Sequence, residues 1–334
     1  MRNAYRASAV CCLIFSGVAG TSAAQDAAKT SADSVAPKVR RFQLEYGATL
    51  TKLPPGKPVR VWLPIPPSND YQRVREVSRT LPATAQEGAD AKYGNRMLYF
   101  QTTAPESGEV AFQMVWDVDR KEVRNLDKAQ GPATLSAADR KKFLAADERV
   151  PVNDAKVLAL LGDQKLPPLG LELARALYDR VDDHVAYDKS KPGFGFGDVL
   201  WVCDSRFGNC TDFHSLFISM ARSKGIPSFF AIGFPLPPDK KEGEILGYHC
   251  WAFFHTGSHG WVPVDISEAD KNPKMKDYYF GNLTADRVTF TVGRDLELEP
   301  KQAGEPLNYF ICPYAEVDGK PHGDLQKRFR FKDR

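Results

Sequence analysis

From Cys210 onward, apolar residues fall at Phe213, Leu216, Phe217, Met220 and Ala221. That spacing predicts a helix with one buried face. Thr211 and Asp212 suit its first turn, where hydroxyls and carboxylates meet orphan backbone N–H groups. Lys224-Gly225 with Pro227 beyond predicts its end. Downstream, residues 247–254 and 261–266 read as strands joined by the turn formers Thr256-Gly257-Ser258-His259-Gly260. A turn centred near Ser258 places odd-numbered residues of both strands on one face, with His249 and Asp265 opposite or diagonal to each other. Even-numbered Cys250, Ala252, Phe254, Val262, Val264 and Ile266 then form an apolar face. A slip of one residue would break this parity, so the register is a firm expectation.

Before that core the pattern has period two. Phe42, Leu44 and Tyr46 recur at every second position, as do Val59, Val61 and Leu63, and later Val110, Phe112, Met114 and Trp116. Turn formers separate these runs at Pro54-Pro55-Gly56, Pro66-Pro67-Ser68-Asn69 and Tyr93-Gly94-Asn95, and a small antiparallel sandwich fits. Charged helical stretches follow, among them residues 136–146, then a longer helix with Leu173, Leu177, Val181 and Val185 on one side. The glycine-rich run at residues 191–197 ends without Lys-Ser/Thr and follows no strand, so it is no P-loop. Its Phe194 and Phe196 are expected to line or lid a cleft, on a loop that looks mobile. Residues 309–311 and 326–332, across an Asp318-Gly319 turn, read as further strands.

The N-terminus adds a compartment. Arg2 and Arg6 precede an apolar stretch at residues 9–19, and small residues end at Ser22-Ala23-Ala24, which reads as a secretory signal peptide cut after Ala24. No other apolar run is long enough for a membrane span. Loss of the two arginines takes the formal charge from +3 to +1. A near-neutral chain offers no electrostatic case for nucleic acid or an anionic membrane. Export to the periplasm or beyond permits disulfides among the remaining Cys203, Cys210, Cys250 and Cys312. If Cys210 stays free, at most one bridge can form; Cys203–Cys250 is one pairing, and buried free thiols are the default.

The chemistry gathers at Cys210. A thiol at a helix start lies at the positive end of the helix dipole, which with a cationic neighbour lowers its pKa from ~8.5 toward ~3.5–7.5. His249 is placed to take the thiol proton and Asp265 to fix the imidazole tautomer. Cys210 with His214, His249 and Asp265 would alternatively make a mixed tetrahedral metal site, a composition uncommon for zinc. His184, His255, His259 and His322 form no ligand pair at metal spacing. No calcium-loop pattern is present.

Gly208-Asn209-Cys210, the apolar helix ending at Gly225-Ile226-Pro227, Tyr248-His249-Cys250-Trp251-Ala252 and Trp261-Val262-Pro263-Val264-Asp265 resemble the three motifs of the transglutaminase-like superfamily of papain-type thiol enzymes. The resemblance covers residues 169–292. Phe253 departs from it, standing where many relatives carry an acidic residue. It implies an α+β chain, a papain-like transglutaminase core preceded by an antiparallel β-sandwich-like domain. The expected boundaries are 1–24 signal peptide, 25–38 lead-in, 39–120 β domain, 121–168 helical connector and 169–334 catalytic domain with C-terminal strands. It further implies a Cys210-His249-Asp265 triad acting on a protein or peptide amide through a thioester, with no cofactor or metal. The Cys210 N–H is the expected first oxyanion donor, and Trp201 and Tyr248 are candidates for the second. Hydrolysis by a cysteine protease or amidase is favoured over glutamine transamidation. An inactive binding module is the non-enzymatic alternative.

Overall fold

A computed structural model describes residues 36–126, 133–162 and 165–334. The expected signal peptide and residues 25–35 of the lead-in lie outside the described residues. The first six strands are β1 (Val39–Leu50), β2 (Pro58–Pro64), β3 (Gln72–Thr80), β4 (Gln86–Ala89), β5 (Arg96–Thr103) and β6 (Val110–Lys121). The short β7 (Val123–Arg124) leads to helices α1 (Ala137–Leu144), α2 (Ala155–Leu161) and α3 (Leu171–His184). Then come β8 (Ala186–Tyr187), α4 (Val199–Ser205), β9 (Phe207–Gly208), α5 (Cys210–Ser223), β10 (Ser228–Pro235) and β11 (Glu242–Glu244). The hairpin β12 (His249–Thr256) and β13 (Gly260–Val264) is followed by α6 (Ile266–Lys271). The chain closes with β14 (Asn282–Leu283), β15 (Arg287–Val292), β16 (Tyr314–Val317), β17 (Lys320–Pro321) and β18 (Leu325–Asp333).

The alternation in β1 and β6 does what period two predicts: Phe42, Leu44, Tyr46, Phe112, Met114 and Trp116 are all buried. Two five-stranded sheets result, ordered β11-β18-β1-β6-β3 and β17-β16-β2-β5-β4. Inward residues of both, such as Leu44 and Trp116 from one and Val61 and Phe100 from the other, share one hydrophobic core. The C-terminal strands belong to these sheets. β18 runs antiparallel beside β1 from Phe42↔Asp333 to Leu50↔Leu325, and β16 pairs with β2.

Two details differ from the sequence reading. The Asp318-Gly319 turn joins β16 to the two-residue β17, not to residues 326–332. Residues 309–311 form no strand, because side chains take their carbonyls. Tyr46 Oη donates to Ile311 O at 3.0 Å, and Thr291 Oγ1 donates to Phe310 O at 2.5 Å.

The second half packs α5 against the four-stranded sheet β13-β12-β10-β15. Its apolar stripe was expected to cover one face, yet every residue from Cys210 to Arg222 is buried. The polar positions are tolerable because each has an internal partner. Ser215 Oγ donates to Thr211 O at 2.7 Å, and Arg222 meets Asp147 at 2.6 Å. Among the described residues no helix is long and apolar enough to cross a membrane.

Candidate active site

Asn209 caps α5, its side-chain oxygen accepting from Thr211 N at 2.8 Å. Asp212 completes a capping box, accepting the Asn209 N–H at 2.8 Å. The same carboxylate accepts the N–H groups of Gly195 at 2.7 Å and Gly197 at 2.9 Å. The glycine-rich loop is thereby tied to the helix start. Arg294 adds bonds to the carbonyls of Gly197 and Phe196, and Tyr309 Oη adds one to Gly195 O at 3.3 Å. The expectation of a mobile loop is corrected: bonds to Asp212, Arg294 and Tyr309 fix its backbone. Gly197, at φ +60°, shows why glycine is required, since a Cβ there would overlap Ser215 Oγ.

Cys210 sits at the first position of α5 and is 3% exposed. β12 and β13 pair with Ala252 opposite Val264 and Thr256 opposite Gly260, which centres the turn on Ser258 as the sequence demanded. His249 and Asp265 therefore share a face, and His249 Nε2 lies 2.8 Å from Asp265 Oδ2. That leaves Nδ1 free for the thiol, and the neighbouring imidazole lowers the Cys210 pKa. Asp265 is not a strand residue. It caps α6, and its Oδ1 accepts from Glu268 N at 3.3 Å.

Sequence reading missed Arg287. Its Nη1 donates to Asp265 Oδ2 at 2.8 Å, both side chains are buried, and its guanidinium lies over the Trp251 ring at 4.9 Å from the centroid. The available signal was a basic residue opening an otherwise apolar strand, Arg287-Val288-Thr289-Phe290.

The electrostatics follow from these partners. Burial alone would push the Cys210 thiol up. Hydrogen bonds from Cys250 and His249, with the imidazolium charge, outweigh it and hold the thiol well below its ordinary value. Burial would likewise lower His249, but the Asp265 carboxylate and the Cys210 sulfur raise it to about 10. Asp265 is held below the usual carboxylate range: burial opposes ionisation, and His249 and Arg287 overcome it. These directions all favour a thiolate–imidazolium pair backed by an ionised carboxylate.

His214, one turn after Cys210, is a different object. Its Nδ1 lies 2.7 Å from Cys210 O and so carries a proton, while its Nε2 accepts from Ile266 N at 3.0 Å. Both nitrogens are spent on backbone, which removes it as a metal ligand. Burial lowers its pKa to about 4. Cys203, Cys210, Cys250 and Cys312 are free thiols. Tyr248 Oη lies among Asn209 Nδ2, Thr211 Oγ1 and Tyr309 Oη at 3.2–3.3 Å. Trp201 packs edge-on against Phe207, beside Gly193.

A cleft of about 650 Å³ opens at His249. Tyr187, Tyr248, Leu246 and the prolines Pro235, Pro237 and Pro238 supply apolar wall, while Lys189, Lys240, Glu244, Glu268 and Lys271 supply charge. Phe194 and Phe196, expected to line or lid it, are not among its wall residues, nor is Cys210 itself, and Phe196 is exposed. Their backbone is turned by the Asp212 and Arg294 anchors.

Residues 161–266 match the family model of the transglutaminase-like superfamily. An uncharacterized protein of Haemophilus influenzae is 27% identical, with 87% of this chain and 89% of that protein covered. A candidate cysteine protease from Cytophaga hutchinsonii superposes with a TM-score of 0.53 at 15% identity, covering 87% of this chain and 90% of its own. That likeness is one of fold. The periplasmic domain of TgpA from Pseudomonas aeruginosa, at 14% identity over 73% of this chain and 94% of its own, reaches a TM-score of 0.35.

Proposed function

We propose that this chain, which carries a transglutaminase-like domain, is a thiol acyl-transfer enzyme that hydrolyses amide bonds in proteins or peptides. The observation that carries the reading is the 2.8 Å His249–Asp265 bond beside a thiol at the start of α5 whose pKa His249 lowers. The Cys210 thiolate attacks the amide carbonyl. The Cys210 N–H, ahead of the first intrahelical bond, faces the developing oxyanion. His249 then protonates the departing amine, and a thioester remains on Cys210. Asp265 stays ionised throughout, holding the imidazole by Nε2 while Arg287 holds Asp265.

Water resolves the thioester. A transamidase must shelter its thioester behind a narrow apolar entrance until an amine arrives. The cleft beside His249 is bordered by lysines and glutamates, which attract water. We place the enzyme outside the cytoplasm on the strength of the signal-like residues 1–24.

The test is partition of a trapped acyl-enzyme between water and an added primary amine. Hydrolysis is expected to dominate at millimolar amine. Predominant amine capture would overturn the hydrolytic reading and leave the triad standing.

A further inference from the structure

Cys250 follows His249 on β12 and points to the other side of the strand. Its Sγ lies 3.7 Å from Thr211 Oγ1 and 3.8 Å from His214 Nδ1. Both belong to the first turn of α5, and His214 Nδ1 donates to the carbonyl of Cys210 itself. Cys250 thus rests over the turn that presents Cys210. The mechanism above has no use for this second sulfur. An apolar residue would fill the same buried site on the even-numbered face without placing a thiol against a nucleophile.

We propose that Cys210 and Cys250 are an oxidative modification site. A hydroperoxide converts Cys210 to its sulfenic acid, and Cys250 resolves it as an intramolecular disulfide. The pair rests on the thiolate reading of Cys210. In the first step the thiolate attacks the peroxide, the O–O bond breaks, an S–O bond forms, and the leaving alkoxide or hydroxide takes a proton from His249. In the second, the Cys250 sulfur attacks the sulfenic sulfur. The S–O bond breaks, the S–S bond forms, and the thiol proton leaves with hydroxide as water. Two thiols lose two electrons and the peroxide gains them.

Burial selects this outcome. Cys210 is 3% exposed and Cys250 is fully buried, so Cys250 lies beside the oxidised sulfur before an external thiol arrives. Resolution from within the protein then outruns mixed-disulfide formation. The remaining cysteines do not compete. Burial raises the Cys203, Cys312 and Cys250 thiols alike, so position selects the resolver, and of the three Cys250 is the one placed against the first turn of α5. The disulfide occupies the attacking sulfur and silences the enzyme, and a dithiol reductant restores it. It also shields Cys210 from irreversible oxidation to the sulfinic acid.

The full exported chain is treated with hydrogen peroxide, its free thiols are alkylated with iodoacetamide under denaturing conditions, and the digest is mapped by mass spectrometry. The expected result is a Cys210–Cys250 cross-linked peptide, with Cys203 and Cys312 alkylated and amide activity recovered after dithiothreitol. In Cys250→Ala the expected result is oxygen addition at Cys210 that dithiothreitol does not reverse. If that variant folds poorly, Cys250→Ser and the wild-type map decide. Oxygen addition at Cys210 in the wild type, with Cys250 still alkylatable, would overturn the pair. Failure of the triad is read separately: a Cys210→Ala protein that keeps amide activity sinks the mechanism, whereas the cross-link map does not depend on turnover.

Discussion

The strand side and the helix side of Cys210 each contribute one buried histidine, and the environments make opposites of them. His249, on β12, gives Nε2 to the Asp265 carboxylate, which leaves Nδ1 free for the thiol. His214, on α5, gives Nδ1 to a carbonyl and Nε2 to an amide N–H. The first is pushed up to about 10 by ionic partners; the second is pushed down to about 4 by burial, which outweighs the nearby Asp265 carboxylate. Both lie near Asp265, with His214 Nε2 3.9 Å from Oδ1, so proximity to a carboxylate does not assign the role. What assigns it is where the hydrogen bonds go. A histidine with both nitrogens on backbone is a structural rivet. One bridging a thiol and a carboxylate is a proton carrier.

The largest effect should come from breaking the strand side. Cys210→Ala and His249→Ala are each expected to lower turnover by roughly 10⁴–10⁶-fold, and the double variant should be no worse than either, because members of such a unit do not act additively. Asp265→Asn should cost less, roughly 10³–10⁴-fold, since Asp265 orients the imidazole without taking its proton. It should also cost stability, because Arg287 would be left buried without its anion. Steady-state kinetics on the single and double variants would check this. Additive losses for Cys210 and His249 would mean they do not share a step.

Breaking the helix side should give the reverse profile. His214→Ala removes the partners of Cys210 O and Ile266 N and leaves a buried gap, at an expected cost of about 2–4 kcal/mol in folding free energy. Its loss in turnover per folded molecule should stay far below that of His249→Ala. Urea unfolding alongside kinetics separates the two quantities. If His214→Ala abolished turnover without changing the unfolding midpoint, the roles assigned here would be exchanged.

Much of this arrangement was legible in the sequence because it follows from period and parity. The stripe after Cys210 located α5, and the turn residues around Ser258 fixed the hairpin register that joins His249 to Asp265. Those are local rules. The rest depends on contacts between distant segments. Arg287 reaches Asp265 from 22 positions downstream, and nothing in either segment announces the other. Asp212 looked like an ordinary first-turn acid, yet its two further N–H bonds come from a loop 15 to 17 residues upstream. That loop was misread as mobile because glycine permits both flexibility and close approach, and composition does not distinguish them. The glycines at 195 and 197 are there to bring backbone amides onto a carboxylate. The sandwich strands were visible from alternation, but the pairing of β18 with β1 was not, since pairing across nearly the whole chain leaves no local trace.

The smallest effect is the sharpest test of the two histidines, because it predicts opposite signs in two pH windows. His214 has a folded pKa of about 4, below its unfolded value of ~6.5, so the unfolded chain binds the extra proton between them. Stability therefore falls as pH drops through that window, by about 2 kcal/mol at pH 5. His249 has a folded pKa of about 10, above its unfolded value. Its contribution is complete below ~6.5 and is lost as pH rises through about 10. His184 and His255 are also lowered, by burial, but both stay in every variant and cancel in the difference. Unfolding midpoints measured from about pH 5 to 10 should show a flattened acid limb in His214→Gln and a flattened alkaline limb in His249→Gln. Carboxylates do not confuse the acid limb above pH ~5, where in the unfolded chain they are already mostly ionised. An acid limb that survives in His214→Gln would mean that His214 is not the neutral, backbone-bound imidazole described here, and the contrast between the two sides of Cys210 would fail.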